Sequence, residues 1–398
     1  MQSTPVYEGQ IFDGDTHLYE TPDAFSRYLP KQYEKDWGFT WKTGSDGEFA
    51  LYVGERKVEI SAGYYADGKV PAPGKLHEWL RAMKAGSDVD MRVSMTPDMV
   101  GPEARLKKLD EFEVEACFLY AGHMVGAISY LDRVGPAKIV LRAYNEWMLE
   151  HWGFTYRDRI YSAPLLALDD LNYAVEQAKW VAKNGARLVL LPMGPVNKRS
   201  PADPYFDPFW SILNEARVRV VFHISEASYL AGHMAEWGER MQQPRLRQSA
   251  FMFMHGYSER PILETLSSFI FYNFFERFPN MKILSAENGC EWVPAMLTKM
   301  DKCRGMAKNS LWPCGQLKER PSKIFKRYMA VVAYPEDDLK LTIDQTGSDD
   351  WVLMGSDYPH SEGVPTPRDF MAEACGGLTA QQIAKVMHDN AWKFIHED

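Results

Sequence analysis

The strongest constraint on what this chain can fold into is a rhythm. Eight short apolar runs, each able to form a strand, are separated mostly by stretches with helical periodicity. The candidate strands are 11–18, 115–120, 160–168, 187–193, 219–224, 282–286, 328–333 and 351–355. Helical spacing of apolar residues is clear over 136–151, 170–183, 208–216, 261–277 and 291–306, with closing helices expected at 366–374 and 379–388. Parallel strands need long crossover connections, and helices supply them. Alternation of this kind therefore specifies a mostly parallel sheet with helices outside it. Eight such strands is the count of a (β/α)8 barrel, so the expectation is an α/β fold, a distorted TIM-like barrel.

Two excursions break the rhythm, one at about 21–105 after the first strand and one at about 225–260 after the fifth. The first holds FTWKTGSDGEFALYVGERKVEI, which reads as a hairpin, followed by a Gly/Pro-rich passage; the second holds the Met/Phe run FMFMHGY. Both leave the C-terminal ends of strands, where a barrel places its active site, and long excursions there serve as lids or specificity loops. No internal repeat, low-complexity tract or long linker divides the chain, so residues 1–398 read as a single barrel domain.

Composition narrows the function. A net charge of −9 argues against nucleic-acid binding, which calls for a basic surface. No run of 18 apolar residues points to a membrane-spanning helix, and the first residues lack the basic flank and apolar core of a signal peptide. Five cysteines without CxxC spacing fit a reduced, cytoplasmic protein and give no zinc-ribbon signal. The load of 20 Met, 20 Phe, 20 Tyr and 12 Trp points to a broad apolar cavity or a buried oligomer interface. FMFMHGY accordingly either receives an apolar substrate body or packs against a second subunit, which makes a homodimer an expectation.

In FDGDTHLYE, strand alternation puts Asp13, Asp15 and His17 on one face. Two carboxylates and an imidazole on a buried face require a cation or a dense hydrogen-bond network. The ordinary alternative is a capping and turn cluster. His223 ends the fifth candidate strand, Glu287 the sixth and Asp357 the eighth, so all can join Asp15 and His17 at one rim. Imidazole with carboxylate suits zinc, manganese or iron. Singly, each has a plainer reading: His223 as a core histidine, Glu287 as a helix cap, Asp357 as a turn former. His123 after the second strand and His360 after Asp357 also reach the rim as candidate substrate contacts, and Glu362 stands beside them. GxGxxG, P-loop and GxSxG patterns are absent, so nothing supports a nucleotide cofactor.

The DxH of the first strand, the strand-ending His223, the late GSDYPH and the DNAWKFI near the end resemble the metal-dependent amidohydrolase superfamily. The resemblance runs from Phe12 to Phe394 and is closest to the branch containing aminocarboxymuconate-semialdehyde decarboxylase. It implies a divalent metal held by Asp15, His17, His223 and Asp357. In a hydrolase it further implies a metal-bound water as nucleophile, with Asp357 taking its proton; in a decarboxylase the metal would anchor the substrate.

Two departures stand out. Asp15 replaces the first His of the family's frequent HxH, and SAENG carries Glu287 where a His often follows the sixth strand. Asp15, Glu20, Glu287 and Asp357 with His17 and His223 make four carboxylates and two imidazoles, the ligand stock of dinuclear carboxylate centres. The expected function is a metal-dependent hydrolase or non-oxidative decarboxylase of an organic acid or carbonyl substrate with an apolar or aromatic body. It would use one or two divalent ions, with Asp357, Glu287 and His223 catalytic. The alternatives are a dinuclear non-haem iron monooxygenase on the same fold and a barrel serving only as a binding module.

Overall fold

The computed structural model describes residues 7–45, 47, 49–62, 67–87, 90–122, 137–224, 229–239, 249–256 and 258–397. All eight candidate strands are present: β1 (Ile11–His17), β2 (Val114–Tyr120), β3 (Ile160–Ser162), β4 (Leu188–Leu190), β5 (Arg219–His223), β6 (Ile283–Ala286), β7 (Met329–Val332) and β8 (Val352–Leu353). They pair in parallel in chain order, β1 to β3 in one sheet and β4 to β8 in another. The Leu165–Leu190 bridge joins the sheets on one side, with Leu166 N–H donating to the Leu190 carbonyl at 2.9 Å. On the other side β8 returns to β1: Gly14 N–H donates to the Met354 carbonyl at 3.1 Å, and Asp357 N–H to that of Asp15 at 2.9 Å. The ring is therefore closed, which leaves the barrel itself without an open edge among the described residues.

Small residues make that last seam. A Cβ on Gly14 would lie 2.8 Å from the Met354 carbonyl, and one on Gly355 would lie 2.7 Å from the Asp15 Cβ. Neither position has room for a larger residue, so β8 reaches β1 only because both are glycine. The side chains of β1 are buried throughout, as expected of a strand with barrel interior on one face and helices on the other.

Part of the aromatic load packs in the core. Trp147, Trp152, Trp210 and Trp351 are fully buried, and Trp210 packs edge-on against Phe269 and Phe274. Between β1 and β2 the expected hairpin is a three-stranded antiparallel sheet (Phe39–Thr43, Phe49–Val53, Arg56–Ala62), because Gly54 at a φ of 57° allows a second tight turn. Helix Pro102–Glu111 leads directly into β2 and serves as its crossover, so the excursion ends a few residues before the expected 105. After β5, Met252 joins Leu230 and Met234 in a small separate core, while Met254 is 69% exposed. Among the described residues no helix is long and apolar enough to cross a membrane.

Candidate metal centre

The end of β1 is pinned before any side chain is considered. His17 N–H donates to the Tyr358 carbonyl at 2.8 Å, and its ring Nδ1–H donates to the Ala121 carbonyl at 2.8 Å. A carbonyl only accepts, so Nδ1 carries the proton and Nε2 presents a lone pair. His223 at the end of β5 does the same, with Nδ1 bonded to the Ile224 carbonyl at 3.0 Å. The two Nε2 atoms face each other at 3.1 Å. Two lone pairs at that distance repel unless a proton or a cation lies between them.

Carboxylates complete the group. His17 Nε2 lies 3.3 Å from Asp15 Oδ1 and 3.3 Å from Asp357 Oδ1; His223 Nε2 lies 3.6 Å from Asp15 Oδ1 and 3.2 Å from Glu287 Oε2. Metal–ligand bonds near 2.0–2.2 Å at tetrahedral to octahedral angles hold neighbouring donors about 2.8–3.6 Å apart. The donor spacings fall in that range, except His17 to Glu287 at 4.0 Å, which requires a wider angle. Asp15 Oδ1 is buried with no hydrogen-bond partner. A charged oxygen in that condition is costly without a cation, so the residues present fit a divalent metal.

The protonation tendencies follow from burial and crowding. Burial, then the neighbouring His360, holds His17 down to about 4, which keeps its imidazole neutral as a ligand must be. Burial and the adjacent Asp357 carboxylate push Glu287 well above the usual range, and burial with Glu362 does the same to Asp357. For Asp15 burial acts upward, but His223 and His17 outweigh it and hold the carboxyl low. Burial would lower His223, yet Asp15 and Glu287 raise it. Left to themselves, His223 and Asp15 thus form an ion pair around a proton, and a metal would take that proton's place.

Glu287 and Asp357 both sit in left-handed backbone, at φ 50° and 57°. Non-glycine residues there cost of order 1 kcal/mol each. The conformation turns each side chain back over the strand end. The Tyr334 hydroxyl, just beyond β7, donates to the Glu287 carbonyl at 2.7 Å and supports that turn. The sequence marks Tyr334 only ambiguously, through AYPED at a strand end.

The structure brings together Asp15, His17, His223 and Glu287, with Asp357 and His360 alongside and Glu362 beside Glu287 and Asp357. His360 stacks on His17 with ring centroids 4.1 Å apart, and its Nδ1 lies 3.0 Å from Asp357 Oδ1. Glu20, expected as a metal ligand, does not join any of these groups. Leu18 N–H pairs with the Tyr120 carbonyl and Tyr19 N–H with that of Met99, which carries the chain away from the rim; Glu20 accepts from the Tyr144 hydroxyl instead. His123 lies outside the described residues.

Asp13 is the other departure, since alternation placed it with Asp15. It accepts from Ser356 Oγ at 2.5 Å, Ser356 N–H at 3.0 Å and Asp15 N–H at 3.2 Å. Burial still pushes its carboxyl up to about 7 against those bonds. Asp13 is thus a structural bolt between β1 and the residues after β8. Asp13→Ala should cost about 3 kcal/mol, because three buried donors lose their acceptor, read as a lower urea midpoint at unchanged m-value. A midpoint within error of wild type would show the bolt to be dispensable.

A sequence profile of the amidohydrolase family matches residues 70–396. Among solved structures the chain is similar to amidohydrolase map2389c from Mycobacterium avium subsp. paratuberculosis K-10, at 28% identity and a TM-score of 0.81, over 98% of this chain and 100% of that one. It shares its fold with 5-carboxyvanillate decarboxylase LigW from Sphingomonas paucimobilis (17% identity, TM-score 0.60, 97% and 98% covered). The same holds for 5-carboxyvanillate decarboxylase from Novosphingobium aromaticivorans DSM 12444, complexed with manganese and 4-hydroxy-3-methoxy-5-nitrobenzoic acid (14% identity, TM-score 0.61, 98% and 96% covered). No curated protein matches the sequence.

Proposed function

From the premise that the chain belongs to the amidohydrolase family of metal-dependent hydrolases and carboxy-lyases, we propose a hydrolase or non-oxidative carboxy-lyase of a small organic acid. In this reading Asp15, His17, His223 and Asp357 hold one divalent cation. The observation that carries it is the pair of inward-facing Nε2 atoms 3.1 Å apart beside the unpartnered Asp15 Oδ1. Manganese is the first candidate, because carboxylate-rich donor sets suit it and the Novosphingobium relative holds it.

A divalent cation bound there supplies Lewis acidity toward a carboxylate or carbonyl oxygen. The protein's own groups handle the proton. Asp357 Oδ1 stands between His17 Nε2 at 3.3 Å and His360 Nδ1 at 3.0 Å, so it can take a proton at the strand end and exchange it with His360. In hydrolysis that proton would come from the attacking water; in decarboxylation Asp357 would start protonated and give its proton to the carbon that lost CO2. Glu287, whose side chain is 21% exposed, faces the open side and can meet the substrate.

A dinuclear centre is the second reading, favoured by one observation: Glu287 lies within reach both of Asp15, His17 and His223 and of Asp357 and Glu362. Metal content per chain separates the two. We expect one ion in the wild type and one in Glu287→Gln, with altered turnover in the variant. Two ions falling to one in Glu287→Gln would replace the mononuclear reading. Reaction class is tested on the metal-loaded protein by CO2 release from aromatic acids against acid release from esters and amides. Wild type without either activity and without metal uptake would leave the binding-module alternative standing.

A further inference from the structure

We infer that Arg105 is a positioning residue of the metal centre, tying the ends of β1 and β8 together from behind the donors; this rests on the reading of His17 and Asp357 as ligands. Arg105 lies in helix Pro102–Glu111 and is fully buried. Its Nη2 donates to the His17 carbonyl at 2.7 Å and its Nε to the Asp98 carbonyl at 2.8 Å. The Asp98 carboxylate accepts from the Tyr358 hydroxyl at 2.6 Å, and the Tyr358 carbonyl accepts from His17 N–H at 2.8 Å. The circuit closes on itself through His17, Arg105, Asp98 and Tyr358. It contains the backbone of one donor and the residue that directly follows another, Asp357.

The cation is not explained by packing or by an ion pair. Among the described residues no carboxylate lies within ion-pair distance of Arg105, and its Nη1 has no acceptor. The rings of Tyr358 and Trp152 stand 5.3 and 5.8 Å from the guanidinium and offset part of its desolvation. A buried charge so poorly compensated is costly, and an apolar side chain of similar volume would cost less. What only the guanidinium supplies is two donors in a fixed fork, aimed at the backbone of the donor strand and at the first excursion. His17 is thereby held at N–H, C=O and Nδ1, which leaves Nε2 a single direction. Asp98 and Arg105 belong to the segment that leads from the first excursion into β2, so that segment is mechanically joined to the centre.

The test compares Arg105→Lys, Arg105→Met and Tyr358→Phe with Leu213→Ala, a control in the outer helix Asp207–Ala216. Three quantities are measured: the Mn2+ dissociation constant, the visible spectrum of the Co2+-loaded protein, and Tm after chelator treatment. Loss of a partner behind a ligand typically weakens metal binding about 10–100-fold. The Arg105 variants should show that weakening with a shifted cobalt spectrum. Tyr358→Phe, which removes the hydroxyl that meets Asp98 and Thr96 and leaves the backbone bond to His17 in place, should move the same way by about tenfold or less. Leu213→Ala should lower Tm while leaving the dissociation constant and the spectrum as in wild type. Folded Arg105 variants with wild-type affinity and spectrum would overturn the inference, as would equal weakening in Leu213→Ala. If the Arg105 variants do not fold, Tyr358→Phe decides by the same readouts. A wild type that takes up no cation is a separate outcome, and it removes the metal reading together with the inference.

Discussion

His223→Ala should lose its metal on dialysis and fall in turnover by at least about 10³, which corresponds to about 4 kcal/mol of barrier. The imidazole is buried at the end of β5 and lies 3.1 to 3.6 Å from three other donor atoms, of His17, Glu287 and Asp15. Truncation removes the donor that faces both Asp15 and Glu287 and leaves their oxygens with one fewer partner. The remaining site would keep its charge but lose one of the two nitrogens that could hold a cation. Stability in the absence of metal should fall as well, because the buried Asp15 and Glu287 carboxylates lose the imidazole that faces them. The check is a pair of melting curves with metal content measured alongside. Added Mn2+ should raise the Tm of the wild type, since a ligand bound only by the folded state stabilises it, and should leave the variant unmoved. A variant that retains one ion at wild-type affinity would show that His223 is not a ligand.

Asp357→Asn is expected to separate binding from proton transfer. The amide has the volume of the carboxylate, and its oxygen still accepts from His360 Nδ1, so the stacking of His360 on His17 persists. What the amide cannot do is take a proton. Removal of a positioned acid–base group typically costs about 10²–10⁴ in rate. We expect kcat to fall within that range while KM changes by less than about tenfold, and metal content to stay above half of the wild-type value. The Asp357 backbone is left-handed, a conformation asparagine tolerates as well as aspartate, so the fold should survive the change. Unchanged kcat would remove Asp357 from the proton path and leave His360 or Glu287 to supply it.

Much of this was legible in the chain itself. The strands could be read because their apolar runs are buried on both faces, and burial on both faces leaves a compositional mark that needs no partner to interpret. Asp15, His17, His223 and Asp357 could be singled out because each stands at or just past the end of such a run, and strand ends in a barrel share one rim. Even the oddity of Glu287 was visible as a carboxylate where an apolar strand hands over to its loop.

Tertiary structure decided which of those groups meet. Asp13 and Asp15 are equivalent by alternation, yet Asp13 bolts to Ser356, 343 residues away, and Asp15 turns an unpartnered oxygen to the centre. The difference comes from where β8 returns along β1, a register that Gly14 within β1 and the distant Gly355 allow together. Glu20 looked like a ligand at three residues from His17, but pairing with Tyr120 and Met99 turned the chain before it arrived. Arg105 carries no mark in the sequence and Tyr334 only an ambiguous one, since their partners are backbone carbonyls of distant residues. Periodicity and burial are properties of a segment and are written in its residues. Register, closure and the pairing of donors are properties of segments brought together, and the free energy that selects them exists only once the ring has closed.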